Sequence, residues 1–378
     1  MHPVLRTLHC SPVPVAGCLG AAKVYVELAA TLTALGCQAT VVDPAAVGSD
    51  GKPGSYAAAL QKYLHHHAAE YDVVEYEHNR LPFLRSEFPR RTLFVARSVL
   101  LSHHFLNIPI PSRPRWTSRV LHFLRTGARR RRWQQMVSNS NATCEQADLV
   151  FVSNNDDSAA LIAAGIRPGK IQVLPFALSE ARRIALGEAA RTPAGPVVAF
   201  VGTFDPRKGL RDLPQIAKQV CGQVPAAHFR LLGTAGMIPD AAGVLAHFPR
   251  NLRARITVTP KFAPEQLPRL LAGAAVGVFP SLVEGFPFGV LEMLAAGLPV
   301  IAYRAPGPPE MLTDEYLCGR GDSEEVAQRL VSLLNNPLKL AAARKWALGR
   351  AADFSWEDVG QRTLARYQAE LLRLRGGG

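Results

Sequence analysis

Two acids and two cations are the residues of this chain best placed to do chemistry. Glu284 and Glu292 stand eight positions apart in VEGFPFGVLEMLAAG, with Gly285, Phe286, Pro287, Phe288 and Gly289 between them. Arg207 and Lys208 are adjacent in GTFDPRKG, residues 202–209. Adjacent cations at a turn can neutralise a diphosphate and stabilise its departure, which is electrostatic catalysis of a leaving group. A solvated basic turn would read the same way. Eight residues along a helix rotate by about 800°, about 80° away from one face. The two acids therefore do not form a helical stripe: Glu284 belongs to a loop and Glu292 to the helix that follows, both turned toward one cleft. Glu292 as a first-turn acid complementing the helix dipole is the plainer alternative.

Both constellations need a strand before them and a helix after them, and the sequence supplies these. VVAFVGTF reads as a strand entering the Asp205–Gly209 loop, followed by a helix from Leu210 to Val220. VGVFPS reads as the strand before Glu284, with Pro287 near the start of the next helix. HFRLLGT, RITVTP and LPVIAY are further strands, PEQLPRLLAGA a helix, and a helical region ends the chain. The first half has the same rhythm. PVLRTL (3–8) is a strand, and Val24, Leu28, Leu32 and Leu35 mark a helix that Gly36 ends. CQATVVDP, YDVVEYE, RTLFVARS, ADLVFVSN (147–154) and KIQVLPFA (170–177) supply more strands, with a helix over DDSAALIAAG. Strands alternating with helices twice over imply an α/β chain of two doubly wound parallel sheets, with ligand sites at the carboxyl ends of strands and a cleft between the sheets. At 378 residues the chain also exceeds what one core usually fills. The expected organisation is an N-terminal domain over 1–178, a linker over 179–195, a C-terminal domain over 196–354, and a last helix over 355–375 that crosses back to the N-terminal domain.

In the first half, SPVPVAGCLGAAKVYVELA follows a strand and opens a helix, so Gly17 and Gly20 could let the backbone approach phosphate oxygens. A plain structural turn is the competing reading. Asp43 ends the second strand where a dinucleotide fold would place its ribose-binding acid, but the glycines do not fit G-x-G-x-x-G. His65, His66 and His67 are consecutive and cannot share a helix face. His103 and His104 in VARSVLLSHH are weighed against ordinary surface histidines of a variable loop.

The net charge of +13 is concentrated. From Arg80 to Arg132 there are thirteen arginines, no lysine, no aspartate and a single glutamate, Glu87. In PRWTSRVLHFLRTGARRRRWQQ a helix would carry Trp116, Val120, Leu121, Phe123 and Leu124 on one side. Arg115, Arg119, His122, Arg125 and Arg129 fall on the other, followed by Arg130, Arg131 and Arg132. Arginine opposite an apolar face suits an anionic membrane surface. A domain helix with a solvated basic face is the alternative, and nucleic acid is disfavoured because no nucleic-acid fold signature accompanies the charge. The six cysteines are scattered, without metal or disulfide spacing, as expected of reduced thiols in a cytoplasmic protein. No apolar run approaches a transmembrane length or a signal peptide.

GTFDPRKG, the block PSLVEGFPFGVLEMLAAGLPVIA and ADLVFVSN...IRPGKIQVLPF resemble the group 1 family of retaining glycosyltransferases with the two-domain GT-B fold. The resemblance is good over about 145–370, and FSWEDVGQRTLARYQ resembles the family's closing helix. It implies a nucleotide diphosphate sugar as donor substrate, with UDP or GDP as the nucleotide, a glycan or lipid-linked hydroxyl as acceptor, and no cofactor. Glu284 would address the donor sugar, aided by backbone N–H groups of Gly285 to Gly289, and Glu292 the nucleotide ribose. Lys208 would bind the diphosphate, with His103 a third catalytic candidate at the donor sugar. The donor-binding set so implied is Gly17, Gly20, Thr203, Arg207, Lys208, Glu284, Gly285, Phe286, Phe288, Gly289, Val290 and Glu292. Thr203 stands where the family usually has an arginine, and Arg207 is expected to compensate. No Asp-x-Asp metal element occurs in a matching loop, so metal ligands are not expected. The enzyme would work in the cytoplasm, at the inner face of the membrane if the arginines dock there. A sugar-nucleotide epimerase or phosphorylase of the same fold, and a basic binding protein with a decayed site, are the alternatives; the intact Glu284, Lys208 and Glu292 argue against decay.

Overall fold

The structure, a computed structural model, describes residues 4–15, 21–52, 54–80, 83–108, 119–190 and 192–376, without the side chains of 21, 107 and 119–126. The chain divides into two compact units, Met1–Phe176 with Trp356–Gly378, and Ala177–Ser355.

The first unit runs β1 (Arg6–Cys10), α1 (Ala21–Ala34), β2 (Gln38–Val42), α2 (Ser55–His67), β3 (Val73–Glu77), β4 (Leu93–Arg97), α3 (Arg119–Gln146), β5 (Leu149–Val152), α4 (Asn155–Ala163) and β6 (Ile171–Val173). Its sheet has the order β2-β1-β3-β4-β5-β6, and the strands pair in parallel. The second unit runs α5 (Glu180–Glu188), β7 (Val197–Val201), α6 (Asp212–Gln223), β8 (His228–Leu232), α7 (Ala241–Ala246), β9 (Ile256–Thr259), α8 (Leu267–Leu271), β10 (Val276–Phe279), α9 (Phe288–Ala295), β11 (Val300–Tyr303), β12 (Leu317–Cys318), α10 (Ser323–Leu334) and α11 (Pro337–Ala352). Its order is β12-β11-β10-β7-β8-β9, again parallel. The last helix, α12 (Trp356–Gly376), belongs to the first unit and packs on α1.

β7 and β10, at the centre of the second sheet, are apolar because helices cover both faces of a parallel sheet. Val198, Ala199, Phe200, Val276, Val278 and Phe279 are fully buried. Strand order reverses between β1 and β3 in one sheet and between β7 and β10 in the other, so each sheet has a switch point where ligands favour the carboxyl ends of strands.

Local boundaries depart from expectation where proline intervenes. The strand expected over 170–177 closes at Val173, two residues before Pro175. PEQLPRLLAGA breaks into a single 3₁₀ turn, Pro264–Gln266, and the short α8. The stretch 179–195 contains α5, which packs on α9 inside the second unit, so a helical element stands where a linker was expected.

One polar network lies in the core of the first unit. Arg97 of β4 donates to both carboxylate oxygens of Glu75 of β3 at 2.8 and 2.9 Å, and both side chains are buried. The Tyr367 hydroxyl of α12 donates to Glu75 Oε2 at 2.5 Å, and His9 of β1 lies 3.5 Å from Oε1. The Arg97 guanidinium also stacks over the Phe151 ring at 4.3 Å.

Candidate active site

The loop after β7 is built to present two cations. Asp205 accepts from the backbone N–H groups of Arg207 and Lys208 at 2.9 and 3.1 Å, and Pro206 starts the 3₁₀ turn they occupy. Thr203 donates its hydroxyl to the other Asp205 oxygen at 2.6 Å. Gly209 ends the turn at φ +87°, and a Cβ there would lie 2.6 Å from the Pro280 ring and carbonyl. A glycine is therefore required twice over, by conformation and by space. The close approach lets the loop after β10 join: Leu282 N–H donates to the Arg207 carbonyl at 2.7 Å.

At this junction two cations and a hydroxyl converge on one carboxylate oxygen. Lys208 Nζ lies 2.7 Å and Arg207 Nη1 3.1 Å from Glu284 Oε1, and the Ser281 hydroxyl donates to the same oxygen. Arg207 is further fixed by the Val283 carbonyl at 2.9 Å, and Lys208 Nζ sits over the Phe279 ring at 5.0 Å. Burial pushes the Glu284 carboxyl up, but Lys208, then Arg207, and hydrogen bonds from Lys208 and Ser281 outweigh it and hold the group below its ordinary value. Burial also lowers Lys208, and Arg207 adds to that, while Glu284 opposes both. The side chains are 7% exposed for Glu284, 14% for Lys208 and 23% for Arg207, so this charged cluster is desolvated yet reachable. Such an arrangement can bind an anion and offer a compensated carboxylate to hydroxyl groups.

Glu292 lies one helix turn into α9, whose start is pressed against β7: a Cβ on Gly289 would come within 2.6 Å of the Val201 carbonyl. Arg182 of α5 donates from Nε and Nη2 to Glu292 Oε1 at 2.9 and 2.6 Å, and from Nη1 to the Pro264 carbonyl at 3.0 Å. Val290 is fully buried, and Phe286 packs edge-on to Phe288 at 5.1 Å and against Phe354 at 6.0 Å. The side chains of Val290 and Phe286, both in the expected donor-binding set, thus serve packing.

Residues 195–336 match the family described as Glycosyl transferases group 1. D-inositol 3-phosphate glycosyltransferase from Segniliparus rotundus is 30% identical over 223 residues, 56% of this chain and 49% of that protein. The chain thus spans about half the length of the curated relatives it matches first, 49% and 54%. Sucrose-phosphate synthase from Thermosynechococcus elongatus superposes with a TM-score of 0.75 at 18% identity, over 97% of this chain and 98% of that one. Anabaena HepE, solved with UDP and glucose, gives 0.64 at 17% identity, over 96% and 99%. The expected GT-B fold is the one observed.

Other expected site residues are dispersed in the first unit or lie outside the described residues. Gly17, Gly20 and Arg115 are outside them, and the side chains of Arg119 and Arg125 on α3 are likewise not described. Further along α3, Arg130, Arg131 and Arg132 are exposed, and Arg129 stacks on Trp133 at 4.4 Å. No helix among the described residues is long and apolar enough to cross a membrane. His103 is partly buried, with Nε2 2.8 Å from Asn141 Oδ1, and burial lowers its basicity. His104 is buried against Asp157 at 2.7 Å, away from any surface role.

Three contributors escape a reading of short motifs. Arg182 lay in the stretch taken for a linker, although Ser179 followed by Glu180 is a helix-start signal. Ser281 and Asp205 carry no motif of their own, and Thr203 acts on Asp205.

Proposed function

We propose that this chain transfers a sugar from a nucleotide diphosphate sugar, UDP- or GDP-linked, to a hydroxyl of a glycan or lipid-linked acceptor, with retention of configuration. The observation that carries the reading is the convergence of Lys208, Arg207 and Glu284 where β7 and β10 end, at the switch point of the second sheet. Lys208 and Arg207 receive the donor diphosphate and stabilise it as it leaves; Arg207 supplies the cation that Thr203 does not. Glu284, its charge compensated, accepts hydrogen bonds from the donor sugar rather than attacking it, and Glu292 accepts from the ribose hydroxyls. Backbone N–H groups from Gly285 to Gly289 complete the donor site of the second unit. The acceptor hydroxyl attacks from the face the diphosphate leaves, which takes up its proton. Anabaena HepE, solved with UDP and glucose, is in keeping with this use of the fold.

A thermal-shift panel of UDP- and GDP-sugars tests the reading, because a ligand that binds only the folded chain raises its melting temperature. One donor is expected to stabilise the protein and to release its nucleotide in the presence of an acceptor, with the anomeric configuration kept by NMR and turnover surviving EDTA. If no nucleotide sugar shifts the melting point, the proposal fails. The exposed arginines of α3 extend it to a docking role: the chain should sediment with anionic vesicles, and neutralising Arg129 to Arg132 should abolish this.

A further inference from the structure

Arg182 is built into the second unit as deliberately as any residue of the proposed donor site, yet it touches none of the groups that would hold the diphosphate. Its guanidinium is fixed at one end by the Pro264 carbonyl, at 3.0 Å from Nη1. Its other two donors, Nε and Nη2, fall on a single oxygen of Glu292, at 2.9 and 2.6 Å. An arginine facing a carboxylate commonly spreads such a pair over both oxygens. Here both N–H groups are taken by Oε1, and among the described residues no hydrogen-bond donor reaches Oε2. Both side chains are 14% exposed, so neither is free to sample the rotamers of a surface ion pair.

We infer that Arg182 is a positioning residue that fixes the Glu292 carboxylate so that Oε2 is presented to a nucleotide ribose. The inference rests on the nucleotide-sugar reading above and adds to it a named residue and a direction. Glu284 is held in a related way: its cations and Ser281 meet on Oε1. Each acid of the pair is thus clamped through its Oε1. For Glu292 the clamp comes from outside the motif, across 110 positions of sequence. A carboxylate held in one orientation loses less freedom on binding, and this preorganisation appears as affinity for the hydroxyls it faces.

The test is calorimetric titration with UDP and 2′,3′-dideoxy-UDP, and with GDP and 2′,3′-dideoxy-GDP, on wild type, Arg182→Met and Arg182→Lys, with melting temperatures measured on the same samples. A hydrogen bond to a charged group implies that the wild type prefers the ribose form by about tenfold or more. Arg182→Met should reduce that preference to about twofold while leaving affinity for the dideoxy form unchanged, because a free carboxylate no longer faces the ribose. Arg182→Lys should fall between them, and it keeps a cation beside Glu292 if the methionine variant does not fold. A wild-type preference that survives in both variants overturns the role of Arg182 and leaves the donor proposal standing. Equal losses for ribose and dideoxy forms would mean a purely structural arginine, which also overturns it. If the wild type binds neither diphosphate, or binds without a ribose preference, the reading of Glu292 falls and this inference with it.

Discussion

Each unit of this molecule buries a glutamate against an arginine, and the two pairs have opposite designs. Glu75 and Arg97 lie within neighbouring strands, β3 and β4, at 0% and 1% exposure. Both Glu75 oxygens are taken by Arg97, and Tyr367 adds a third donor. Glu284 lies beyond the end of β10, and its cations stand beyond the end of β7 at 14% and 23% exposure. Three donors crowd Oε1 there. Chemical identity does not separate a structural ion pair from a working one. Exposure does, and so does the sheet's switch point, which only the second pair occupies. A pair shut from solvent cannot be reached by a ligand, whereas a partly exposed pair at a switch point can.

The largest way to break this contrast is to remove Glu75. Glu75→Ala leaves Arg97 buried with only the Phe151 ring beneath it and releases Tyr367, so a loss of about 3–5 kcal/mol is expected in urea denaturation. Nucleotide affinity of the protein that remains folded should be unchanged. A stable variant, or a folded one that no longer binds nucleotide, would undo the distinction. Lys208→Ala is the mirror experiment. Glu284 keeps Arg207 and Ser281, so melting should move less than in Glu75→Ala, while turnover falls by about 10²–10³-fold, as for loss of one group that stabilises transition-state charge. A variant that unfolds but turns over normally in its folded fraction would assign Lys208 to structure.

How much of this was legible in the sequence follows from the range of the interactions. The doubly wound sheets and the strand-loop-helix setting of Glu284 and Lys208 were readable because hydrophobic runs and turn residues encode them locally. The motif also named Arg207 and Glu292. Sequence did not show that Arg182 meets Glu292, because the partners are 110 positions apart and helix packing alone brings them together. The burial of Val290 and Phe286 was hidden for the same reason. Thr203, which looked like a missing cation, fixes Asp205 and through it the turn carrying both cations.

The smallest expected effect sharpens what strand-end position means. His78 directly follows β3, at the carboxyl edge of the first sheet, but it is fully buried. Its Nε2 lies 3.4 Å from the Ser102 N–H and 3.3 Å from the Ser102 hydroxyl, with no carboxylate among its recorded partners. Burial, with His103 and Arg80 adding to it, pushes this imidazole down to about 3. Glu284 is buried and stays charged because cations face it; His78 is buried and stays neutral because, among the described residues, no carboxylate bonds to it. In the unfolded chain the same ring takes up a proton near its ordinary value of about 6.5. Above that pH both states are neutral and the group has no effect on stability. As pH falls from about 6.5 toward 3, only the unfolded chain gains the proton, so stability is lost at up to about 1.4 kcal/mol per pH unit. Chemical denaturation of wild type and His78→Gln at pH 7.5, 6.5 and 5.5 isolates this contribution. The difference in stability between the two should narrow as pH falls through this range, since glutamine cannot take up the proton. A constant difference would mean that His78 is protonated in the fold, and that some carboxylate reaches this strand end after all.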